Sequence, residues 1–254
     1  MIRGLYSAAS GMVSNFRRES IITNNLANVS TIGYKQDLTA PSDFANLLMV
    51  QQGGPNGSPP NSQGAVGPMG TGTELGEIRL DLSQGDIAET GNPLDLAISG
   101  PGYFAVQTPN GTYYTRDGEF FRDALGRLAR SDGGLLLGDN GPIQVGEGNI
   151  VIDGDGTVTV DGQVAGRIRL ADFGPQEQML KIGNNYLVPA NPNARVVAAQ
   201  SAAINQGFLE HSNVDMTRET VEMLSAMRSY EASQRMIQLQ DQTLDRAVND
   251  VAKV

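Results

Sequence analysis

The two ends of the chain carry the same kind of repeating apolar pattern, and this limits the folds that the chain can adopt. Alternating steps of three and four residues from Ile2 reach mainly apolar side chains as far as Leu26. The same steps from Met223 do so as far as Val251. Such spacing places one apolar stripe along an α-helix. We therefore predict a helix at each end, over residues 1–28 and 214–254.

Local signals mark the inner ends of these two helices. Gly33 follows an Asn-rich segment and is typical of a helix stop. Asp215 or Thr217 can cap the start of the second helix, and Glu219 then lies in its first turn.

The residues between the helices have the composition of antiparallel β structure. Asn-Gly and Asp-Gly pairs recur there and supply the positive φ angles that tight hairpins need. No helix-length segment alternates with the strands, which argues against a doubly wound nucleotide-binding fold. The predicted class is mainly β with α-helical termini. The predicted strands cover residues 103–106, 112–115, 149–152, 157–160 and 167–170.

A Gly/Pro-rich connector separates the first helix from the β region. Residues 51–72 contain seven glycines and four prolines, and no charged residue occurs between Asp43 and Glu74. Such a segment buries too little apolar surface to order by itself. We predict a helix pair of coiled-coil type from residues 1–30 and 214–254. A connector would cover residues 31–76, and an antiparallel β domain residues 77–213.

Composition excludes several classes of function. The chain has 18 basic and 28 acidic residues, a formal charge of −10, which disfavours nucleic-acid binding. It has no cysteine and one histidine, His211, so disulfides, iron–sulfur clusters and Cys- or His-rich metal sites are excluded. No apolar run approaches the roughly 18 residues of a membrane span. The N-terminal segment lacks the unbroken apolar stretch of a cleavable signal peptide. We expect no catalytic residue, cofactor or metal.

Three motifs with possible chemistry have simpler explanations. Asp153–Thr157 begins like a calcium-binding loop, but the twelfth position is Val164, and β segments flank it, so a hairpin turn is favoured. The glycines of residues 70–76 and 100–102 do not open a helix, as a phosphate-binding loop requires. His211 has acidic and serine neighbours but no nucleophile elbow. A carbohydrate-active enzyme and a secreted adhesion or calcium-binding module remain as rival hypotheses.

The segment NNLANVSTIGYK, Asn24–Lys35, closely resembles the N-terminal signature of bacterial flagellar rod and hook proteins. Further blocks that resemble this family follow in order along almost the whole chain. These blocks are residues 1–12, 95–98, 102–104, 114–118, 207–210, 212–214, 222–223 and 228–231. The family motif residues are Asn24, Asn25, Leu26, Ala27, Asn28, Gly33, Tyr34, Lys35, Glu210, Ser212, Asn213, Val214, Tyr230 and Glu231.

The resemblance implies a non-enzymatic subunit of the flagellar basal-body rod. In that family the terminal helices pair into an inner domain, subunits stack around an axial channel, and the β domain lies outside. The implied partners are copies of the chain, other rod and hook-basal-body subunits, and the flagellar type III export apparatus, which exports the subunit without a cleaved signal peptide. The implied location is the periplasmic side of the basal body. Residues 166–173 and 241–247 look more similar to proximal-rod proteins, with a distal rod or hook subunit as the alternative.

The apolar stripes at the two ends form the predicted seam. It can be an intramolecular helix pair or a surface that assembles with other copies. Gln234 and Asp241, which interrupt the stripe of the second helix, fit a contact that selects its register. The predicted seam consists of Ile2, Leu5, Ala9, Met12, Phe16, Leu26, Met223, Met227, Tyr230, Ile237, Leu244, Val248 and Val251.

Overall fold

The structure is a computed structural model, and it divides into two compact units. It describes residues 2–43, 47–50, 65–69, 72–174, 177–199 and 202–251. We call Met1–Leu26, Asp37–Ile78 and Met216–Val254 the helical unit. Ala27–Gln36 and Arg79–Asp215 form the β unit. Much of the predicted connector, including residues 51–64, lies outside the described residues.

The helical unit contains the two long helices that the apolar periodicity predicts. α1 covers Ile2–Ala27, and α2 covers Met216–Val251 with Glu219 in its first turn. Short strands accompany them, and β2 pairs with β5 and β3 with β4, both antiparallel. These strands are β1 (Asp37–Leu38), β2 (Pro41–Asp43), β3 (Leu47–Val50), β4 (Ala65–Met69) and β5 (Thr73–Leu75).

The β unit contains only antiparallel pairings between its named strands, which confirms the predicted class. Its strands are β6 (Arg79–Leu80), β7 (Ile87–Glu89), β8 (Leu96–Ser99), β9 (Tyr103–Thr108), β10 (Gly111–Thr115), β11 (Phe121–Arg122), β12 (Leu128–Ala129), β13 (Leu135–Gly138), β14 (Gly141–Pro142), β15 (Ile150–Ile152), β16 (Thr157–Val160), β17 (Gln163–Arg167), β18 (Leu170–Asp172), β19 (Met179–Gly183), β20 (Tyr186–Pro189), β21 (Val197–Ala198), β22 (Ala203–Gln206) and β23 (Phe208–Glu210).

The largest sheet has the strand order β11-β12-β13-β9-β10-β20-β19 along its main path. Strand β14 pairs with β13, and β18 pairs with both β9 and β21. Strands β15, β16 and β17 form a separate meander, and β22 pairs with β8 and β23 with β7.

Two hairpins show how local sequence fixes strand register. Asp161 and Gly162 connect β16 to β17 with φ angles of 51° and 81°, the positive values typical of a type I′ turn. Asn184 and Asn185 connect β19 to β20 with φ angles of 49° and 57°. Asparagine tolerates this conformation better than most residues, so an Asn-Asn pair can serve where Asp-Gly is the usual signal.

The strand predicted over residues 167–170 is wrong. β17 ends at Arg167 and β18 begins at Leu170, while the buried Ile168 between them forms an isolated bridge with Gly138. The chain leaves the meander and enters the large sheet within these few residues. The residues at this change of sheet keep a high β propensity, so the sequence does not predict where one strand ends and the next begins.

The core of the β unit lies on both faces of the central strand β9. Phe104 packs edge-on against Phe120 in the larger core, with ring centroids 5.4 Å apart. The adjacent Tyr103 belongs to a second core with Phe173. Successive side chains of a strand point to opposite faces, so β9 contributes to both cores. The larger core contains Leu96, Ile98, Phe104, Phe120, Leu128, Leu136, Ile143, Val145, Ile150, Ile152, Val158, Ile168 and Ile204.

We expect Gly118→Ala to destabilise the β unit by at least about 3 kcal/mol. A Cβ at this position would overlap the carbonyl oxygen of Leu96 and lie 2.7 Å from its carbonyl carbon. Backbone atoms within a sheet cannot move aside as a flexible side chain can. The measurement is urea unfolding followed by circular dichroism. Gly174→Ala is the matched control because nothing lies within 4 Å of its Cβ position, and equal stability of the two variants would contradict this account.

Candidate assembly surface and buried ion cluster

Several contacts between helices α1 and α2 involve small and polar residues. A Cβ at Gly4 would overlap the side-chain amide of Gln240, and a Cβ at Gly11 would lie 3.5 Å from the Ser233 hydroxyl oxygen. The seven-residue step from Gly4 to Gly11 along α1 is thus matched by a seven-residue step back along α2, from Gln240 to Ser233. This is the pattern of an antiparallel pair with a heptad repeat. The absence of a side chain at the two glycines leaves room for the side chains of Gln240 and Ser233.

Two polar pairs continue this contact. The Arg18 guanidinium lies 3.2 Å from the Glu222 carboxylate. The Asn25 amide donates to Glu219 at 3.4 Å and to the Asp37 carbonyl at 3.0 Å, and its oxygen accepts from the Asp37 amide. Asn25 and Glu219 are only 1% and 2% exposed. We call Gly4, Gly11, Arg18 and Asn25, with Glu219, Glu222, Ser233 and Gln240, the register line.

The structure divides the predicted seam. The side chains of Ile2 and Val251 lie outside the described residues. Gln234 and Asp241, the predicted register residues, are exposed. The half-buried seam residues are Leu5, Met12, Leu26, Met223, Tyr230, Ile237 and Leu244. The exposed seam residues are Ala9, Phe16, Met227 and Val248.

A second apolar stripe on α1 is exposed. It consists of Tyr6, Ala9, Val13 and Phe16, which we call the outer stripe, and Phe16 is 64% exposed. The stripe keeps steps of three and four residues, so it follows one side of the helix. It borders a groove of about 570 Å³ beside β5, where the Thr73 amide donates to the Ser10 hydroxyl oxygen at 3.3 Å.

Helix α2 also exposes large apolar side chains along its length. They belong to Val221, Leu224, Met227, Met236, Leu239 and Val248. Large exposed apolar surfaces with polar rims are typical of protein interaction sites. Both helices of the helical unit therefore present apolar surface that the described part of the chain does not cover.

The β unit contains a buried ion cluster made from three separate motif segments. The Glu210 carboxylate lies 2.5 Å from the Lys35 ammonium and 3.0 Å from the Arg116 guanidinium. All three side chains are at most 4% exposed. One anion therefore holds two cations in the protein interior. No local pattern in the sequence predicts this arrangement, because Lys35 and Glu210 are 175 positions apart.

Backbone groups make further hydrogen bonds to the cluster, whereas the buried Arg116 Nε has no hydrogen-bond partner among the described residues. Lys35 donates to the Ser83 carbonyl at 2.6 Å, and Arg116 donates to the Gly100 carbonyl at 2.7 Å. The amide of Gly85 donates to Glu210 at 3.0 Å. Burial lowers the pKa of Lys35, while the charge of Glu210 and its hydrogen bond act in the opposite direction. Without Glu210, the desolvation of both cations would be uncompensated.

Family motif residues also fix the backbone around the ion cluster. Gly33 has a φ angle of 67°, and its amide donates to the Glu210 carbonyl at 2.7 Å. A Cβ at this left-handed position would be crowded by the backbone of residues 116–117. The Asn213 side chain accepts from the Gln36 amide at 2.8 Å and donates to the Asp81 carbonyl at 2.9 Å. The signature around residue 33 and the motif at residues 207–214 therefore bind each other.

The other motif residues have mixed positions. The ring of Tyr34 is buried, with the Lys181 ammonium 3.8 Å from its centroid. Val214 is buried, and its amide donates to the Ser212 hydroxyl oxygen at 3.3 Å. Asn28 accepts a hydrogen bond from a neighbouring hydroxyl at 3.1 Å. Leu26 and Tyr230 are half-buried, and Asn24, Ala27 and Glu231 are exposed.

The block at residues 114–118, which supplies Arg116 to the first ion cluster, also supplies Asp117 to a second ion network. The sequence did not predict this network. The Arg130 guanidinium lies 2.6 Å from the Asp117 carboxylate and 4.6 Å from the ring centroid of Tyr186. The Tyr186 hydroxyl donates to Asp132 at 3.0 Å, and burial raises the pKa of Tyr186 to about 12. The Asp-Gly pair in this motif is typical of a turn, so the sequence did not predict that Asp117 forms an ion pair.

The structure also shows the role of the segment that resembles the start of a calcium-binding loop. Asp153–Thr157 includes the turn that joins β15 to β16, and the Asp155 carboxylate accepts from the Thr157 amide at 3.0 Å. This confirms the hairpin turn. Among the described residues, no group of three or more acidic or histidine side chains is placed to hold a metal ion. Within that same part of the chain, no helix is long and apolar enough to cross a bilayer.

We expect Glu210→Gln to destabilise the β unit by about 3–5 kcal/mol, because it leaves two buried cations without an anion. Lys35→Met should cost less, about 1–3 kcal/mol, since Glu210 keeps Arg116 as its partner. Urea unfolding of both variants followed by circular dichroism provides the measurement. A larger loss for Lys35→Met would show that the cluster is not organised around Glu210.

Three family models match the chain. Residues 5–35 match "Flagella basal body rod protein", and residues 97–160 match "Flagellar hook protein FlgE/F/G D1 domain". Residues 205–250 match "Flagellar basal body rod FlgEFG protein C-terminal". The first and third matches include Lys35 and Glu210, and the second includes Arg116.

Relatives over nearly full length agree with these models. The flagellar basal-body rod protein FlgG of Bacillus subtilis is 36% identical, with 98% of this chain and 99% of that protein covered. The flagellar hook-basal body complex protein FlhO of the same organism is 30% identical, with both chains fully covered. The rod protein FlgF of Mesorhizobium japonicum is 31% identical, with 96% and 95% covered. The chain therefore belongs to the flagellar basal-body rod protein family, as a structural subunit of the basal body rather than an enzyme.

Proposed function

We propose that this chain polymerises helically, with copies of itself and with other rod and hook-basal-body subunits, around an axial export channel. In this role it transmits torque from the motor to the hook. The observation that carries the proposal is the exposed apolar surface of both helices in the helical unit. A subunit that acted alone would gain nothing from it.

The size of the exposed side chains supports assembly. Burying one large apolar side chain contributes about 1.5–3 kcal/mol. Phe16, Val13 and Tyr6 on α1 and Leu239 and Met236 on α2 are each more than half exposed. Contacts with several neighbours would bury many such side chains at once, which offsets the entropy lost on association.

Each region has a proposed place in the polymer. Residues 1–30 with 214–254 act as the inner assembly domain, and residues 77–213 form the outer layer. Residues 36–76 order when neighbouring subunits cover them, and the Gly/Pro-rich composition of residues 51–72 supports this. The proposed route to the rod is the flagellar type III export apparatus, without removal of a signal peptide, to the periplasmic side of the basal body.

We place the chain in the proximal rod, on the likeness of residues 166–173 and 241–247 to that branch of the family. Cryo-electron microscopy of basal bodies that carry a tag in the exposed turn at residues 161–162 tests this position. The expected result is extra density around the cell-proximal part of the rod. Density around the distal rod or the hook would favour the alternative, and absence of the tag from basal bodies would contradict a rod role.

We expect Met227→Asp to block polymerisation while the β unit stays folded. The side chain is 39% exposed on α2, and a carboxylate there would have to lose its water in any tight contact with another copy. Sedimentation of the purified chain measures polymerisation, and circular dichroism measures folding. Met227→Leu is the matched control because it keeps an apolar side chain of similar volume. Normal polymers from Met227→Asp would show that this face of α2 is not an assembly surface.

A further inference from the structure

The chain connects the β unit to the helical unit at four places. It passes from one unit to the other after Leu26, Gln36, Ile78 and Asp215. In a polymer that carries torque, these connections transmit force between the two units of each subunit. Their mechanical role rests on the proposed function, since only a polymer under load would pull on them.

The side chain of Asn213 holds three of these connections together. Its amide oxygen accepts from the Gln36 backbone amide at 2.8 Å, and its amide nitrogen donates to the Asp81 carbonyl at 2.9 Å. The Asp81 amide in turn donates to the Gln36 carbonyl at 2.8 Å. Each of these three residues lies at most three positions from a point where the chain passes between the units. One side chain thus binds the chain on both sides of the excursion into the helical unit and at the final exit.

The remaining connection, which enters the β unit after residue 26, is fixed by Gly33. The Gly33 amide donates to the Glu210 carbonyl at 2.7 Å, so it binds the segment that also carries Asn213. The buried ion cluster continues this contact, because Lys35 binds the Glu210 carboxylate. Lys35 and Asn213 both donate to the Ser83 carbonyl, at 2.6 and 3.3 Å. The ion cluster and the Asn213 hydrogen bonds therefore form one network.

This network lies between the connections and the strands that they lead into. Residues 203–210 form β22 and β23, which pair with β8 and β7. Force that enters at Asp215 meets the bonds of Asn213 and Glu210 before it reaches the rest of these two strands. A buried network of hydrogen bonds and ion pairs holds its members more strongly than single bonds would, and breaking a buried ion pair is costly.

We propose that residues 33–36, 81–85 and 210–213 form a mechanical clamp, which holds together the segments through which force enters the β unit. A pull on one connection is then shared by three segments and does not separate β22 and β23 from their partner strands. This role is distinct from the contribution of the same contacts to the stability of the unloaded chain, because it depends on where the force is applied.

Optical tweezers can load the clamp and a control path in the full-length chain, because the absence of natural cysteine allows handles to be attached at chosen residues. The clamp path uses Met216→Cys, an exposed residue just beyond the last connection, and Asn140→Cys in an exposed turn. The control path uses Asn110→Cys and Asn140→Cys. Its load crosses the neighbouring strands β9 and β13 and does not enter through the clamp.

We expect Asn213→Ala to speed unfolding at constant force about tenfold in the clamp path, because it removes the hydrogen bonds that join the three segments. Ile152→Val is the matched variant, since it removes one methylene group from the core of the β unit and lies outside the clamp. Urea unfolding measures the stability that each variant loses without load. Per unit of stability lost, Asn213→Ala should speed unfolding more than Ile152→Val in the clamp path, and equally in the control path.

Equal acceleration by Asn213→Ala in both paths would overturn the proposal, because the variant would then act through overall stability alone. Asn213→Ser, which keeps a smaller polar side chain, takes its place if Asn213→Ala does not fold. The force is applied to single chains, so the measurement does not depend on assembly. A chain that shows the expected path dependence but never polymerises would contradict only the proposed function.

Discussion

The carboxylate of Glu210 is the group on which the β unit depends. It lies in the interior with two cations, Lys35 and Arg116, and each of the three comes from a separate segment of the chain. Buried charges are costly unless every partner is present, so the three segments must reach their positions together. The backbone follows the same rule, because Gly33 donates to the Glu210 carbonyl and occupies a left-handed conformation. Gly33 and Lys35 of the family signature therefore make structural contacts inside the β unit.

In the proposed polymer, the two helices of the helical unit would both pair with each other and present surface to other copies. The contacts between α1 and α2 include small and polar residues, and large apolar residues such as Phe16 and Leu239 remain exposed. Burial of such side chains is a strong source of free energy for the proposed contacts with other subunits.

Much of the architecture follows from local patterns in the sequence. The period of the apolar residues predicts both helices, and the Asp161-Gly162 pair predicts a hairpin because the turn needs two positive φ angles. The transfer of the chain between sheets near Ile168 is missed, since β propensity does not change there. The ion cluster could not be predicted either, because no local rule relates positions as distant as 35 and 210.

The sequence by itself determined that this protein has helices at both ends, an antiparallel β region between them, and a place in the rod and hook family. Only the tertiary structure decided which side of each helix faces its partner. A shift of one residue turns the side of a helix by about 100°. From Leu5 and Met12, a step of three residues leads to Ala8 and Asn15 on one side. A step of four residues leads to Ala9 and Phe16 on the other side. The apolar pattern favoured the side with Phe16. In the structure the side with Gly4 and Gly11 lies against the Gln240 and Ser233 side chains of α2, because the glycines leave room for them.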